Sequence, residues 1–243
     1  MGYRGATLLP RGVIAGHDLS LFGGPIAHWS GNGTLVETIT GGLGYDIGQT
    51  EPGYVPMNPL YSNSISALET KGRTPVVPSL NASLKLTGDT TVAGWFCVSG
   101  ETIGAFPQLF SAHRAGVTSA ENVFWGLRIN PVTIKFEGFW HSGARVDQFT
   151  SATDVLEQYR WYHLAMTRGN SSDRCRLYID GRLDSETTGL SAHTDGSNID
   201  QITIGHDNAG AATHICLASV SLYNQELTPA QVSQLYMSSI ESV

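Results

Sequence analysis

The chain has 243 residues, 41% of them hydrophobic and only 14% charged, with a formal net charge of −7. That balance excludes disorder as the general state, and the acidic sign argues against a nucleic-acid binder, which needs clustered Lys and Arg. With 28 Gly and 10 Pro in a chain poor in Lys and Glu, turns and strands are favoured over long helices, and the expected class is all-β.

Taken in chain order, residues 1–25 are Gly-rich and without clear periodicity, and Arg4 and Arg11 against Asp18 make them slightly basic. They are read as an N-terminal arm or linker, with one domain over residues 26–243. No leader is visible, since Met1-Gly2-Tyr3-Arg4 runs into Pro10, Gly12, Gly16 and Asp18, so a soluble protein made in the cytoplasm is expected. On that reading the sequons at Asn32, Asn81 and Asn170 carry no weight. The uncharged stretch 19–36 holds too many Gly and Pro residues to span a membrane.

Strand signals dominate from residue 84 onward. Thr91 to Val98 is rich in β-branched and aromatic residues, and residues 123–140 hold two runs divided at Asn130-Pro131. Trp161 to Thr167 is apolar on both faces, as a strand covered by two layers would be. Cys175 to Leu183 predicts a hairpin, because Asp180-Gly181 supplies the positive φ angles of a tight turn. Ile202 to Gly205 and Ile215 to Tyr223 add strands. Thr228, Pro229 and Gln231 have the spacing of a capping box opening one short helix, with Val232, Leu235 and Tyr236 as its apolar stripe. The expected fold is a two-sheet antiparallel jelly-roll β-sandwich with Trp95, Leu164, Leu177, Ile179, Ile204 and Val220 inside. Cys97, Cys175 and Cys216 form no CxxC pair and are read as buried, reduced thiols.

These segments resemble the laminin-G-like, or concanavalin A-like jelly-roll, superfamily of lectins, glucanases and pentraxins. The resemblance rests on Trp161-Tyr162-His163-Leu164-Ala165 followed by Leu177-Tyr178-Ile179-Asp180-Gly181, and on Ile202 to Gly205. Val220 to Thr228, Thr91 to Phe96 and, more loosely, Ile26-Ala27-His28-Trp29 complete it, over about residues 26–238. Family members often place Gly and an acidic residue before the last strand's Val; Cys216-Leu217-Ala218-Ser219 lacks that acid here.

Because the superfamily includes glycosidases, catalytic carboxylates are sought, and a retaining pair must lie about 5–5.5 Å apart. Asp180, Asp184 and Glu186 are the closely spaced acids, and they read as solvated hairpin charges, so no catalytic residue is assigned. No GxSxG, HExxH or phosphate-binding loop is present; His163 and His28 read as structural. No cofactor is expected. Oxygen donors between His193 and Asp200, with Asp207 and Asn208 nearby, leave calcium open, although ordinary turns use the same residues. Phe136, Phe139, Trp140 and His141 lie near Arg145 and Asp147, a mix that can stack on sugars and bond their hydroxyls. The competing reading makes Phe136 and Trp140 core residues.

The main functional expectation is a non-catalytic structural protein at the surface of a virus-like particle, such as a phage decoration or tail-fibre-associated protein. The alternative is a lectin module for cell-surface glycans, with Trp140, His141, Arg145 and Asp147 as contacts; an enzyme comes third. In the main reading Arg4, Leu8, Leu9, Arg11, Val13, Ile14, Leu21 and Phe22 fasten the arm to a neighbouring subunit of a homo-oligomer or scaffold. The other placement lays the arm as a strand on the protein's own sandwich. Nucleic acid and membrane are not expected as partners.

Overall fold

The computed structural model describes residues 12–14, 18–29, 53–56, 66–69, 76–78, 88–98, 107–113, 123–130, 132–142, 145–152, 157, 160–189, 201–207 and 215–242. Its strands are β1 (Gly12–Ile14), β2 (Ala27–Trp29), β3 (Gly53–Pro56), β4 (Ser66–Glu69), β5 (Val76–Pro78), β6 (Thr90–Val98), β7 (Pro107–His113) and β8 (Val123–Ile129). There follow β9 (Phe136–Ser142), β10 (Arg145–Thr150), β11 (Trp161–Gly169), β12 (Arg174–Ile179), β13 (Arg182–Thr188), β14 (Gln201–Asp207) and β15 (Ile215–Tyr223). Helix α1 (Pro229–Ser238) and β16 (Ile240–Ser242) complete the described elements.

Two large antiparallel sheets result, besides the two-stranded pair β1-β16. The smaller has the order β10-β9-β8-β7-β14-β5, and the larger β13-β12-β11-β6-β15-β4-β3, with β2 also against β15. Strand alternation sends one face of each sheet into a shared core. Val92 and Phe96 of β6, Leu164 and Met166 of β11, Leu177 of β12, and Val220 and Leu222 of β15 meet Phe110, Trp125, Leu127, Ile129 and Phe136 of the smaller sheet. Each such side chain contributes roughly 1.5–3 kcal/mol when fully buried. Ile179 packs against this core while partly exposed; the side chain of Ile204 lies outside the described residues.

Trp95 departs from expectation. It is buried, but on the outer face of the larger sheet, where its ring lies 5.4 Å from His163 and 5.7 Å from Tyr236 of α1. Its neighbours in sequence explain this: Val92 and Phe96 take the inner face, so odd-numbered Trp95 must point the other way. A second apolar cluster continues there, with Ala93, Ala165, Tyr178 and Tyr223 under Leu227, Val232 and Leu235. The helix therefore makes the fold three-layered over β6 and β11, which is why β11 is buried along its whole length.

Helix α1 begins as its sequence predicts. The Gln231 amide donates to Thr228 Oγ1 at 3.3 Å, and the Thr228 amide donates to Gln231 Oε1 at 2.8 Å, closing a capping box with Pro229 in the first turn. The Asp180-Gly181 turn also forms, with φ of 50° and 73°. In β15 the ladder to β6 shifts between Ala218 and Ser221, where Ser219 adopts φ 50°. This bulge keeps Ala218 opposite Trp95 while returning Val220 and Leu222 to the inner core.

The described parts of residues 1–25 make contacts within the chain itself. β1 pairs antiparallel with β16, placing Val13 opposite Glu241 and Ile14 opposite Ile240. Phe22 packs against the cluster under α1, and Gln225 Nε2 donates to the Phe22 carbonyl at 2.7 Å. Leu21 belongs to the same short helical turn, Leu21–Gly23. Arg4, Leu8, Leu9 and Arg11 lie outside the described residues.

Candidate functional site

The outer face of the smaller sheet carries a polar network that grows from the β8–β9 turn. Asn130 Oδ1 accepts the amides of Val132 and Thr133 at 2.9 and 3.0 Å, an Asx arrangement that fixes the turn. Its Nδ2 is thereby aimed at Glu137 Oε1, to which it donates at 2.8 Å. Glu137 is 1% exposed. Arg128 Nε donates to its Oε2 at 2.9 Å, and Thr150 Oγ1 donates to its Oε1 at 3.2 Å. The Arg128 guanidinium lies over the Phe139 ring, 5.1 Å from its centroid. An ion pair this buried is stable only because several donors satisfy the carboxylate.

Sequence reasoning overlooked Arg128, Asn130, Glu137 and Thr150, although the alternation was legible. Trp125, Leu127 and Ile129 are core positions, which leaves Arg128 on the opposite face, and Phe136 in the core leaves Glu137 beside it.

Next to this network runs the hairpin expected to contact glycans. β10 is the edge strand of the smaller sheet. The backbone register sets Trp140 opposite Asp147 and also opposite Trp125, His141 opposite Val146, and Arg145 opposite Ser142. The ladder sets the four expected residues on neighbouring positions of one hairpin but not at one parity. Trp140, which pairs with Trp125, falls with Asp147 and Arg145 on the positions that alternate with Phe136, and His141 on those that alternate with Glu137. The side chains of Trp140, His141, Arg145 and Asp147 lie outside the described residues. Of the two aromatic neighbours, Phe136 belongs to the inter-sheet core, whereas Phe139 serves the outer network.

The acids considered for hydrolysis have other tasks. Asp180 Oδ1 accepts the His163 amide at 3.0 Å, and Arg160 Nη2 stands 3.4 Å from its Oδ2. Burial pushes the Asp180 carboxyl above the ordinary range, against the hydrogen bond from His163 and the charge of Arg160. Asp184 Oδ2 accepts the Ala152 amide at 2.7 Å and so ties the edge of the larger sheet to the segment leaving β10. Glu186 Oε2 pairs with Arg176 Nε at 2.5 Å, and Arg176 Nη1 reaches Glu226 Oε1 at 2.9 Å. These are engaged structural carboxylates rather than merely solvated charges. His163 is fully buried against Trp95 and Tyr236, and burial drives its imidazole down to about 3. His28 Nδ1 lies 2.8 Å from Ser221 Oγ.

Among the described residues no group of three metal-ligating side chains occurs. The loop 193–200 weighed for calcium lies outside the described residues. No described helix is long and apolar enough to cross a membrane.

Comparison with known proteins places this geometry. The family model described as the concanavalin A-like lectin/glucanases superfamily matches residues 71–233. No curated protein matches the sequence. Among solved structures, the binding domain of Paraclostridial Mosquitocidal Protein 1 superposes with a TM-score of 0.65 at 13% identity, covering 86% of this chain and 51% of that one. The botulinum neurotoxin serotype D ligand-binding domain in complex with N-acetylneuraminic acid gives 0.63 at 16%, covering 88% and 50%. Domain 4 of AbnA, an extracellular arabinanase from Geobacillus stearothermophilus, in complex with arabinotriose, gives 0.64 at 18%, covering 87% and 98%. At these identities the likeness is one of fold. The chain spans about half the length of the toxin binding domains and nearly all of the arabinanase domain.

Proposed function

Because the chain belongs to the concanavalin A-like lectin/glucanase superfamily, we propose that it is a non-catalytic carbohydrate-binding module. The observation that carries this reading is the β9–β10 edge. It holds Trp140, His141, Arg145 and Asp147 on neighbouring positions of one edge hairpin, whose other end is fixed by the Arg128–Glu137–Asn130 network. Sugar recognition needs an aromatic surface and a few donors and acceptors held on stiff strands, and this edge provides those residue types. Two structural neighbours support the class of ligand: one was solved with N-acetylneuraminic acid and one with arabinotriose. The first of them is a ligand-binding domain by name, and the engaged state of Asp180, Asp184 and Glu186 supports a non-catalytic reading of this chain.

A glycan array tests the reading. The wild-type protein should give saturable signals, which Trp140→Ala and Arg145→Ala weaken at least tenfold while the protein stays folded. Hydrolysis of the bound glycans should stay at background. A wild-type protein with no array signal overturns the proposal.

Display at a particle surface would suit such a module as well, its motive being the low-charge, Gly-rich sequence. The pairing of Gly12–Ile14 with the chain's own C-terminal strand favours self-docking over a tether for that part of the N-terminal segment.

A further inference from the structure

We propose that Cys97 and Cys216 form a cross-strand redox couple that closes as a disulfide when the protein folds in an oxidising compartment. The two residues are distant in sequence, yet the β6–β15 ladder sets them directly opposite one another. Facing residues on antiparallel strands have Cα atoms about 4.5–5.5 Å apart. That span falls within the roughly 4.4–6.8 Å that disulfides bridge, so closure requires no change of backbone register.

The third cysteine has no such opportunity. Cys175 is 0% exposed in the core between the sheets, and its cross-strand partners are Arg168 and Thr187. It serves as an internal control. Cys97 is only 6% exposed, so a soluble oxidant reaches it before β6 and β15 have sealed, and closure accompanies folding.

The exchange balances with a small external disulfide such as oxidised glutathione. One cysteine thiolate attacks that disulfide, forming a mixed disulfide and releasing one glutathione thiolate. The second cysteine thiolate then attacks the mixed bond and displaces the other. Two protein thiols are oxidised, one external disulfide is reduced to two thiols, and the protons of the cysteines pass to the departing thiolates. The new bond staples two interior strands of the larger sheet and closes a loop from residue 97 to residue 216. It thereby restricts the unfolded chain more than the folded one.

The test refolds the full chain from urea in a glutathione redox buffer, alkylates remaining thiols, and maps the refolded monomer by non-reducing mass spectrometry. The expected result is one peptide pair joined through Cys97 and Cys216, with Cys175 alkylated after denaturation, and a melting temperature that falls when reductant is added. Cys97→Ser and Cys216→Ser should show neither the joined pair nor the reductant-sensitive shift. Alkylation of both Cys97 and Cys216, or either one joined to Cys175 or to another chain, overturns the inference.

Discussion

Gly181 shows how one position can serve two constraints. Its φ of 73° lies in the left-handed region, and a Cβ there would stand 2.8 Å from the Tyr236 side chain. Gly181→Ala should therefore cost more than the roughly 1–2 kcal/mol of a left-handed Ala, because α1 must also shift; urea unfolding measures the loss. Glu137 is the corresponding polar case. Glu137→Gln leaves the Arg128 guanidinium without its anion in a largely buried place, and about 3 kcal/mol should be lost. His163 gives the protein a pH dependence. In the folded chain its imidazole titrates near 3, against about 6.5 when unfolded. Below pH 6.5 the unfolded state binds the extra proton, so stability falls by about 1.4 kcal/mol per pH unit toward pH 3. Asp180, whose carboxyl is raised, acts oppositely within the carboxylate range: its folded form takes up a proton first and recovers part of the loss. Between pH 7 and 5 the His163 effect should dominate, and thermal melts of wild type should show a slope that His163→Gln flattens.

At the level of elements, the helix and the β15 bulge decide what the larger sheet can bury. Helix α1 is short, so its stability rests on its cap and on three buried side chains, Val232, Leu235 and Tyr236. Thr228→Ala removes the acceptor for the Gln231 amide and should cost about 1 kcal/mol in denaturant unfolding. The bulge at Ser219 lets one strand serve two cores, the inter-sheet core through Val220 and Leu222 and the helix side through Tyr223. The β8–β9 hairpin uses a side chain for the same purpose: Asn130 organises the turn and aims its amide at Glu137. The edge strand β10 is thus presented on a stiff base, which the proposed binding role requires.

For the whole molecule, described segments from the two ends of the sequence pair with each other. β1 pairs with β16 directly after α1, while Phe22 and Gln225 join the N-terminal segment to the loop before the helix. Truncating residues 2–14 should therefore leave the inter-sheet core intact but unpair β16. Hydrogen exchange should rise at residues 240–242 and spread into α1, while β6 and β11 stay protected. Equal protection of 240–242 in the truncated and full chains would contradict this coupling.

Local patterns were enough to read the β-sandwich, the Asp180-Gly181 hairpin, the capping box at Thr228 and the doubly covered strand β11. Each depends on neighbours within a few residues: positive φ at Gly, a hydroxyl three positions from a Gln, or unbroken apolar alternation. The alternation that takes Arg128 and Glu137 out of the core was present but overlooked, and their pairing needed the β8–β9 register. Only the tertiary structure decided that Trp95 lies under α1, that Gly12–Ile14 docks on the chain's own C-terminal strand, and that Cys97 stands opposite Cys216. The reason is physical. Alternation tells that two faces of a strand differ, but when both are apolar it does not tell which layer covers which. Register between strands far apart in sequence is set by the summed packing of whole sheets, and that sum is absent from any local window of residues.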